Sequence, residues 1–106
     1  RLLEAGGADI LNVHGHISDT LQAARLAADY GVPLSLGNTP FELGVHLAAA
    51  LPEAGWLEYS SHDYNHLVEE PVRFEGGYAI APDRPGHGLT LSEAARTEWA
   101  RPEVVQ

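Results

Sequence analysis

Cysteine is absent from this sequence of 106 residues. Its absence excludes disulfide staples, thiolate metal ligands and a cysteine nucleophile, and says nothing decisive about compartment. Lysine is absent as well. The 6 basic residues face 15 acidic ones, for a net charge of −9. No basic patch exists to neutralise phosphates, so DNA, RNA and an anionic membrane surface are not expected partners. The acidity reads as solubility. No apolar run approaches the ~20 residues needed to span a bilayer, and no signal-peptide pattern is visible. A cytoplasmic setting is expected. The chain also lacks the length of a complete (β/α)₈ barrel, about 250 residues.

What is present reads as an α/β protein. The hydrophobic fraction is 44%, ordinary for a folded domain and too high for disorder. The organising stretch is residues 33–58. A short apolar strand, residues 32–36, runs into the polar turn Gly37, Asn38, Thr39, Pro40, Phe41, Glu42. In that turn Thr39 suits an N-cap, Pro40 the first helical position and Glu42 the third, which together make a capping box. The helix over residues 41–51 is apolar nearly all round, so burial on more than one side is expected. Pro52 stops it, and residues 56–59 form the next strand.

The same unit precedes it. Residues 8–14 read as a strand, Gly15 to Ser18 as the loop at its end, and residues 20–30 as a helix capped by Ser18 or Asp19. Leu21, Ala24, Ala27 and Ala28 give that helix a shallow apolar face, and Gly31 ends it in a left-handed conformation. Strand, helix, strand, helix, strand is the pattern of a parallel sheet. Residues 1–7 read as the last turn of a helix with a glycine C-cap, which makes the chain a piece of a longer one. After residue 59 the pattern changes. Residues 60–70 are polar and irregular, Gly76 and Gly77 sit between two short strands as a hairpin turn, and residues 91–101 form a last helix capped by Thr90 or Ser92.

Functional side chains of parallel α/β proteins sit at the C-terminal ends of strands. Three positions qualify: His14 with His16, Asn38, and Glu58. A His and a Glu there can do acid–base work, and an Asn can donate to a developing oxyanion. Each has a plainer alternative. His14, Gly15 and His16 can form an ordinary polar turn, and Asn38 also suits a left-handed backbone ahead of Thr39. Glu58 lies between Leu57 and Tyr59 on an apolar strand, where a carboxylate is costly unless paired or protonated. His46 reads as a hydrogen-bonded histidine of the core or an interface, and His87 as a turn residue. His62 and His66 have the spacing of a metal pair only if their loop is helical, and a solvated loop is expected.

Taken in order, these pieces resemble the C-terminal part of the mandelate racemase/muconate lactonizing enzyme group of the enolase superfamily. The resemblance rests on residues 8–14, 23–33, 46–52 and 56–58, on residues 71–77, and on Pro82-Asp83-Arg84-Pro85-Gly86-His87-Gly88. It implies a fold: residues 1–59 as the last strands and helices of a (β/α)₇β barrel, and residues 60–106 as a tail with a hairpin and a short helix returning toward a capping domain. It also implies a reaction, abstraction of a proton alpha to the carboxylate of a small acid, with the enolate held on Mg²⁺. No metal ligand is carried over, because the family's ligands come from earlier strands. Glu58 matches the eighth-strand glutamate that hydrogen-bonds the substrate carboxylate, a role that suits a partly buried, protonated side chain. His14 falls where the sixth strand carries a base. Asn38, or Gly37 with a one-residue shift, falls where related racemases have a seventh-strand histidine. His16 and Gly37 are expected among the substrate-binding positions. Asn38 cannot accept a proton at neutral pH, so one-base chemistry such as dehydration is expected over racemisation. A second reading is a non-catalytic α/β module whose apolar helix faces meet a partner, a second copy or the remainder of a longer chain. A third is a metal-dependent amidohydrolase barrel segment, since His-x-His at a strand end occurs there too.

Overall fold

The computed structural model describes residues 1–37, 40–60 and 64–100. Three strands, β1 (Leu11–Val13), β2 (Leu34–Leu36) and β3 (Ala54–Leu57), form a parallel sheet in the order β1-β2-β3. Two helices connect them, α1 (Ile17–Tyr30) and α2 (Phe41–Ala50). The register pairs Leu11 with Leu34 and Val13 with Leu36, then Ser35 with Trp56 and Leu36 with Leu57. It shifts between Leu34 and Ser35, where β3 spends one extra residue, Gly55. Such a bulge re-aims the side chains that follow it.

Both helices lie on one face of the sheet. Ala24 and Ala27 of α1 pack with Leu34, and Leu11, Val13 and Leu51 close around them. Phe41 and Val45 of α2 pack with Val72, Leu57, Ala79, Ala81 and Leu89. Leu34 is fully buried, and burying a leucine contributes about 1.5–3 kcal/mol. Because side chains alternate along a strand, the residues between these apolar ones project to the other face. That opposite face carries Asn12, Ser35, Trp56 and Glu58, and Trp56 is 56% exposed on it. The Cα radius of gyration is 16.9 Å, against about 13 Å for a self-contained domain of this length. The described residues form an open slab with a covered outer layer and a bare inner one, which is the form of part of a (β/α) barrel.

Several expectations shift by one turn. β1 is shorter than residues 8–14. α1 starts at Ile17 with His16 at its N-cap and no side-chain cap bond, so neither Ser18 nor Asp19 is the cap. Gly15 and His16 suffice to reverse the chain, and Asp19 then stands in the first turn, where the helix dipole favours it. The buried face of α1 is Thr20, Ala24 and Ala27, while Leu21 is 38% exposed and Ala28 is exposed. Gly31 ends the helix at φ 66°, as expected. α2 has Pro40 at its N-cap instead of the first helical position. The expected cap Thr39, and with it the capping box, lies outside the described residues; Glu42 is buried. β3 begins two residues early and stops before Glu58.

The tail follows its turn chemistry closely. β4 (Arg73–Glu75) and β5 (Tyr78–Ile80) pair antiparallel around Gly76 and Gly77, both at positive φ (56° and 86°). Two positive φ values are what a two-residue hairpin needs and what only glycine takes cheaply. A one-turn 3₁₀ helix (Asn65–Leu67) meets the start of α3 (Glu93–Trp99) through Ser92 N–H donating to Leu67 O at 2.8 Å. Ser92 is the α3 cap, accepting from Ala95 N–H at 3.1 Å. Ser92→Ala is expected to cost about 1 kcal/mol, read as a lower urea midpoint; an unchanged midpoint would show that α3 is not part of the cooperative unit.

Candidate active site

The site is the inner face at the C-terminal ends of β1, β2 and β3. The ladder runs one residue beyond the strands. Gly37 N–H donates to Val13 O at 2.9 Å, and Glu58 N–H donates to Leu36 O at 2.7 Å. These bonds fix Gly37 and Glu58 as strand tips. A Cβ added to Gly37 would stand 2.5 Å from Asn12 Oδ1 and 2.6 Å from Glu58 Oε2. Both distances are below any real contact of this kind. Asn12 from β1 and Glu58 from β3 therefore lean toward each other across β2, over the one residue with no side chain. Barrel interiors are filled this way, with alternate strands contributing to each layer.

Glu58 is held from behind. Tyr59, the next residue, points to the helix side and packs its ring 5.0 Å from Phe41 and 5.0 Å from Phe74. Phe41 and Phe74 stack at 5.5 Å. With Tyr59 anchored between α2 and the hairpin, alternation sends Glu58 to the inner face. It is exposed there, not partly buried as expected from its apolar neighbours. Its backbone is held by the ladder bond to Leu36, but among the described residues no second layer covers the inner face on which its side chain stands. His14 follows Asn12 by two residues at the end of β1 and is also exposed. His16 sits at the α1 N-cap and lines an open, largely apolar groove with Ile17, Leu21, Pro40 and Leu43. That groove runs between the helix N-termini. Asn38 lies outside the described residues.

Two of the remaining histidines take structural parts. His46 donates from Nε2 to His87 O at 2.9 Å, tying α2 to the tail. His87 Nδ1 accepts from Leu89 N–H at 3.1 Å and so stabilises its own turn. His66 stands in the 3₁₀ helix, and His62 is outside the described residues. Among the described residues no group of three His, Asp or Glu side chains is placed to hold a metal ion.

Two further residues belong to the neighbourhood, one unmarked in the sequence and one expected only as part of a helix cap. Asn12 is one, because nothing in Leu11-Asn12-Val13 says which residue will stand opposite Glu58. Glu42 is the other. It is 5% exposed, and its Oε1 accepts from Tyr64 N–H at 2.5 Å, tying the chain beyond β3 to the first turn of α2. An acidic residue in a helix's first turn was a visible signal, but its partner is 22 positions away.

The profile of the family described as enolase C-terminal domain-like matches residues 1–95. D-xylonate dehydratase of Haloferax volcanii is 34% identical over 85% of this chain and 24% of its own length. A mandelate racemase-type protein from Mesorhizobium loti superposes with a TM-score of 0.82 at 59% identity, over 99% of this chain and 28% of that one. L-talarate dehydratase from Polaromonas sp. JS666, solved with Mg and L-glucarate, gives 0.73 at 34% identity over 91% of this chain and 27% of that one. The chain spans about a quarter of the length of these relatives. The match replaces the amidohydrolase reading. Its three strand tips, its helices packed on one face and its Gly-Gly hairpin thus belong together for a shared reason: the chain is a member of the enolase C-terminal domain-like family, a C-terminal part of the mandelate racemase/muconate lactonizing enzyme group of the enolase superfamily.

Proposed function

We propose that this chain supplies the last strand tips of a lyase or isomerase that removes the proton alpha to the carboxylate of a small acid. The observation that carries the reading is the meeting of Asn12 and Glu58 over Gly37 at the C-terminal ends of parallel strands, in a chain whose relatives include acid dehydratases. His14 is the base. It takes the alpha proton on an imidazole nitrogen and holds it until the product forms. Glu58 hydrogen-bonds the substrate carboxylate, a contact that requires one proton shared between the two carboxyl groups. That bond strengthens as charge moves onto the carboxylate oxygens, which stabilises the transition state over the ground state. Asn38 and His16 are proposed to complete the rim, Asn38 as a donor and His16 at the substrate's far end. With a single base, the favoured outcome over racemisation is dehydration: the enolate electrons form a carbon–carbon double bond as the beta C–O bond breaks, and the hydroxyl leaves as water with the proton that His14 took.

Mg²⁺ is proposed for the whole enzyme, with its ligands on strands other than these. The described residues do not fit a metal site, so no step above runs through the ion. The uncovered inner face and the exposed Leu26 and Tyr30 of α1 are proposed to meet the rest of the parent barrel or a second copy of it, in a cytoplasmic protein. No described helix is long and apolar enough to cross a membrane.

The test uses a full-length protein carrying this segment, assayed with Mg²⁺ against a panel of sugar acids. Loss of water or exchange of the alpha proton is expected for at least one acid, and no reaction across the panel would overturn the proposal. The isolated chain under the same conditions is expected to give no turnover. Measurable activity from it would overturn the assignment of the metal site to other strands.

A further inference from the structure

We propose that Phe74 of the tail hairpin is a positioning residue for the reaction, acting on Glu58 through the ring of Tyr59. The inference rests on the role of Glu58 proposed above and goes beyond it by giving the tail a part in the chemistry. The side chains of Glu58 and Tyr59 leave the chain on opposite faces of the sheet. The Glu58 carboxyl lies over Gly37, with Oε2 2.6 Å from where a Cβ there would stand, and the Tyr59 ring lies on the helix side. A rotation of the backbone at this tip moves both, so whatever seats the ring also aims the carboxyl. Two rings seat it. Phe41, at the start of α2, meets it edge-on at 5.0 Å and 66°. Phe74, from β4, meets it at 5.0 Å and 63° and stacks on Phe41 at 5.5 Å and 17°. Both are arrangements that aromatic pairs prefer. The hairpin that carries Phe74 is itself fixed. Val72 is buried against Phe41 and Val45, and its N–H donates to Asn65 Oδ1 at 3.1 Å. Glu42, next to Phe41 in α2, accepts from Tyr64 N–H at 2.5 Å and so holds the chain a few residues beyond Tyr59. On the strand side, Glu58 N–H donates to Leu36 O at 2.7 Å. The carboxyl is therefore placed between a ladder bond and an aromatic seat, and half of that seat comes from the tail. A contact that must strengthen as charge develops is sensitive to displacements of about 1 Å.

Phe74 is the ring to change, since it is 48% exposed and Phe41 only 6%, so its truncation disturbs the fold less. In the full-length protein, assayed with the best acid from the panel, Phe74→Ala is expected to lower kcat about 10-fold or more with KM within about 3-fold of the parent. Phe74→Tyr keeps the ring and is expected to stay within about 2-fold of the parent in kcat. The same Phe74→Ala change made on top of Glu58→Gln is expected to cost less than about 2-fold, because the group it positions is already disabled. Phe74→Leu keeps apolar bulk without the ring and takes the place of Phe74→Ala should that protein fail to fold, with the same pattern expected at about 3-fold or more. A parent-like kcat in the folded variant would overturn the proposal. An equal loss with and without Glu58→Gln would show a merely structural role and overturn it too. Both outcomes leave the role of Glu58 standing. A Glu58→Gln protein with a parent-like rate, or a parent inactive on every acid, would instead overturn the role of Glu58, and that of Phe74 with it.

Discussion

Glu58→Gln in a full-length protein carrying this segment is expected to lower kcat by roughly 10²-fold or more. The substitution keeps size and geometry and removes the one proton that the Glu58 carboxyl can share with the substrate carboxylate. That bond gains strength as the enolate forms, so its loss falls on kcat more than on KM. Stability should be nearly unchanged. Glu58 is exposed and has no side-chain partner among the described residues, and such surface exchanges stay within about 0.5 kcal/mol. His14→Ala is expected to give a loss of the same order for a different reason, the missing proton acceptor. A parent-like rate in the Glu58 variant would remove the carboxyl from the mechanism.

Gly37→Ala is expected to cost roughly 10²-fold in kcat/KM with little change in thermal stability. The new methyl would stand 2.5 Å from Asn12 Oδ1 and 2.6 Å from Glu58 Oε2, so both side chains must swing aside. Each is the free end of a flexible side chain, which makes the movement cheap for folding. Gly37 is not among the glycines at positive φ, so alanine is allowed by the backbone. It even removes some disorder from the unfolded chain. The damage is therefore confined to the gap between the two polar groups. A variant within a few-fold of the parent in kcat/KM would show that substrate does not use that gap.

The parts legible in the sequence were those set by short-range chemistry. Gly76-Gly77 specified a hairpin, Ser92 a cap, Gly31 a helix end, and the density of apolar residues in α2 its burial. The parallel order of strands followed from two strand–helix units in a row. What was not legible depended on how distant segments register. The bulge at Gly55 decides that Leu57 faces α2 and Glu58 faces inward, and no local pattern in residues 54–58 announces it. Asn12 gains its place only because β1 and β3 flank a glycine on β2. The buried face of α1 is Thr20, Ala24 and Ala27, set by the side on which the sheet meets the helix, which the spacing of its alanines leaves open. The burial of Glu42 follows from a tail that folds back over α2, which no local pattern shows. The candidate site was thus half visible. His14 and Glu58 could be placed from strand ends, while the residues between and opposite them required the sheet.

At the centre of the proposed function, these strand tips move a proton at the carbon next to a carboxylate. The direct measurement is deuterium incorporation at that carbon, followed by NMR in D₂O with Mg²⁺ and a turned-over acid, for the parent full-length protein and for its His14→Ala variant. Exchange is expected in the parent, and a rate lower by about 10²-fold or more in the variant. Parent-like exchange in the His14→Ala protein would contradict the proposed function.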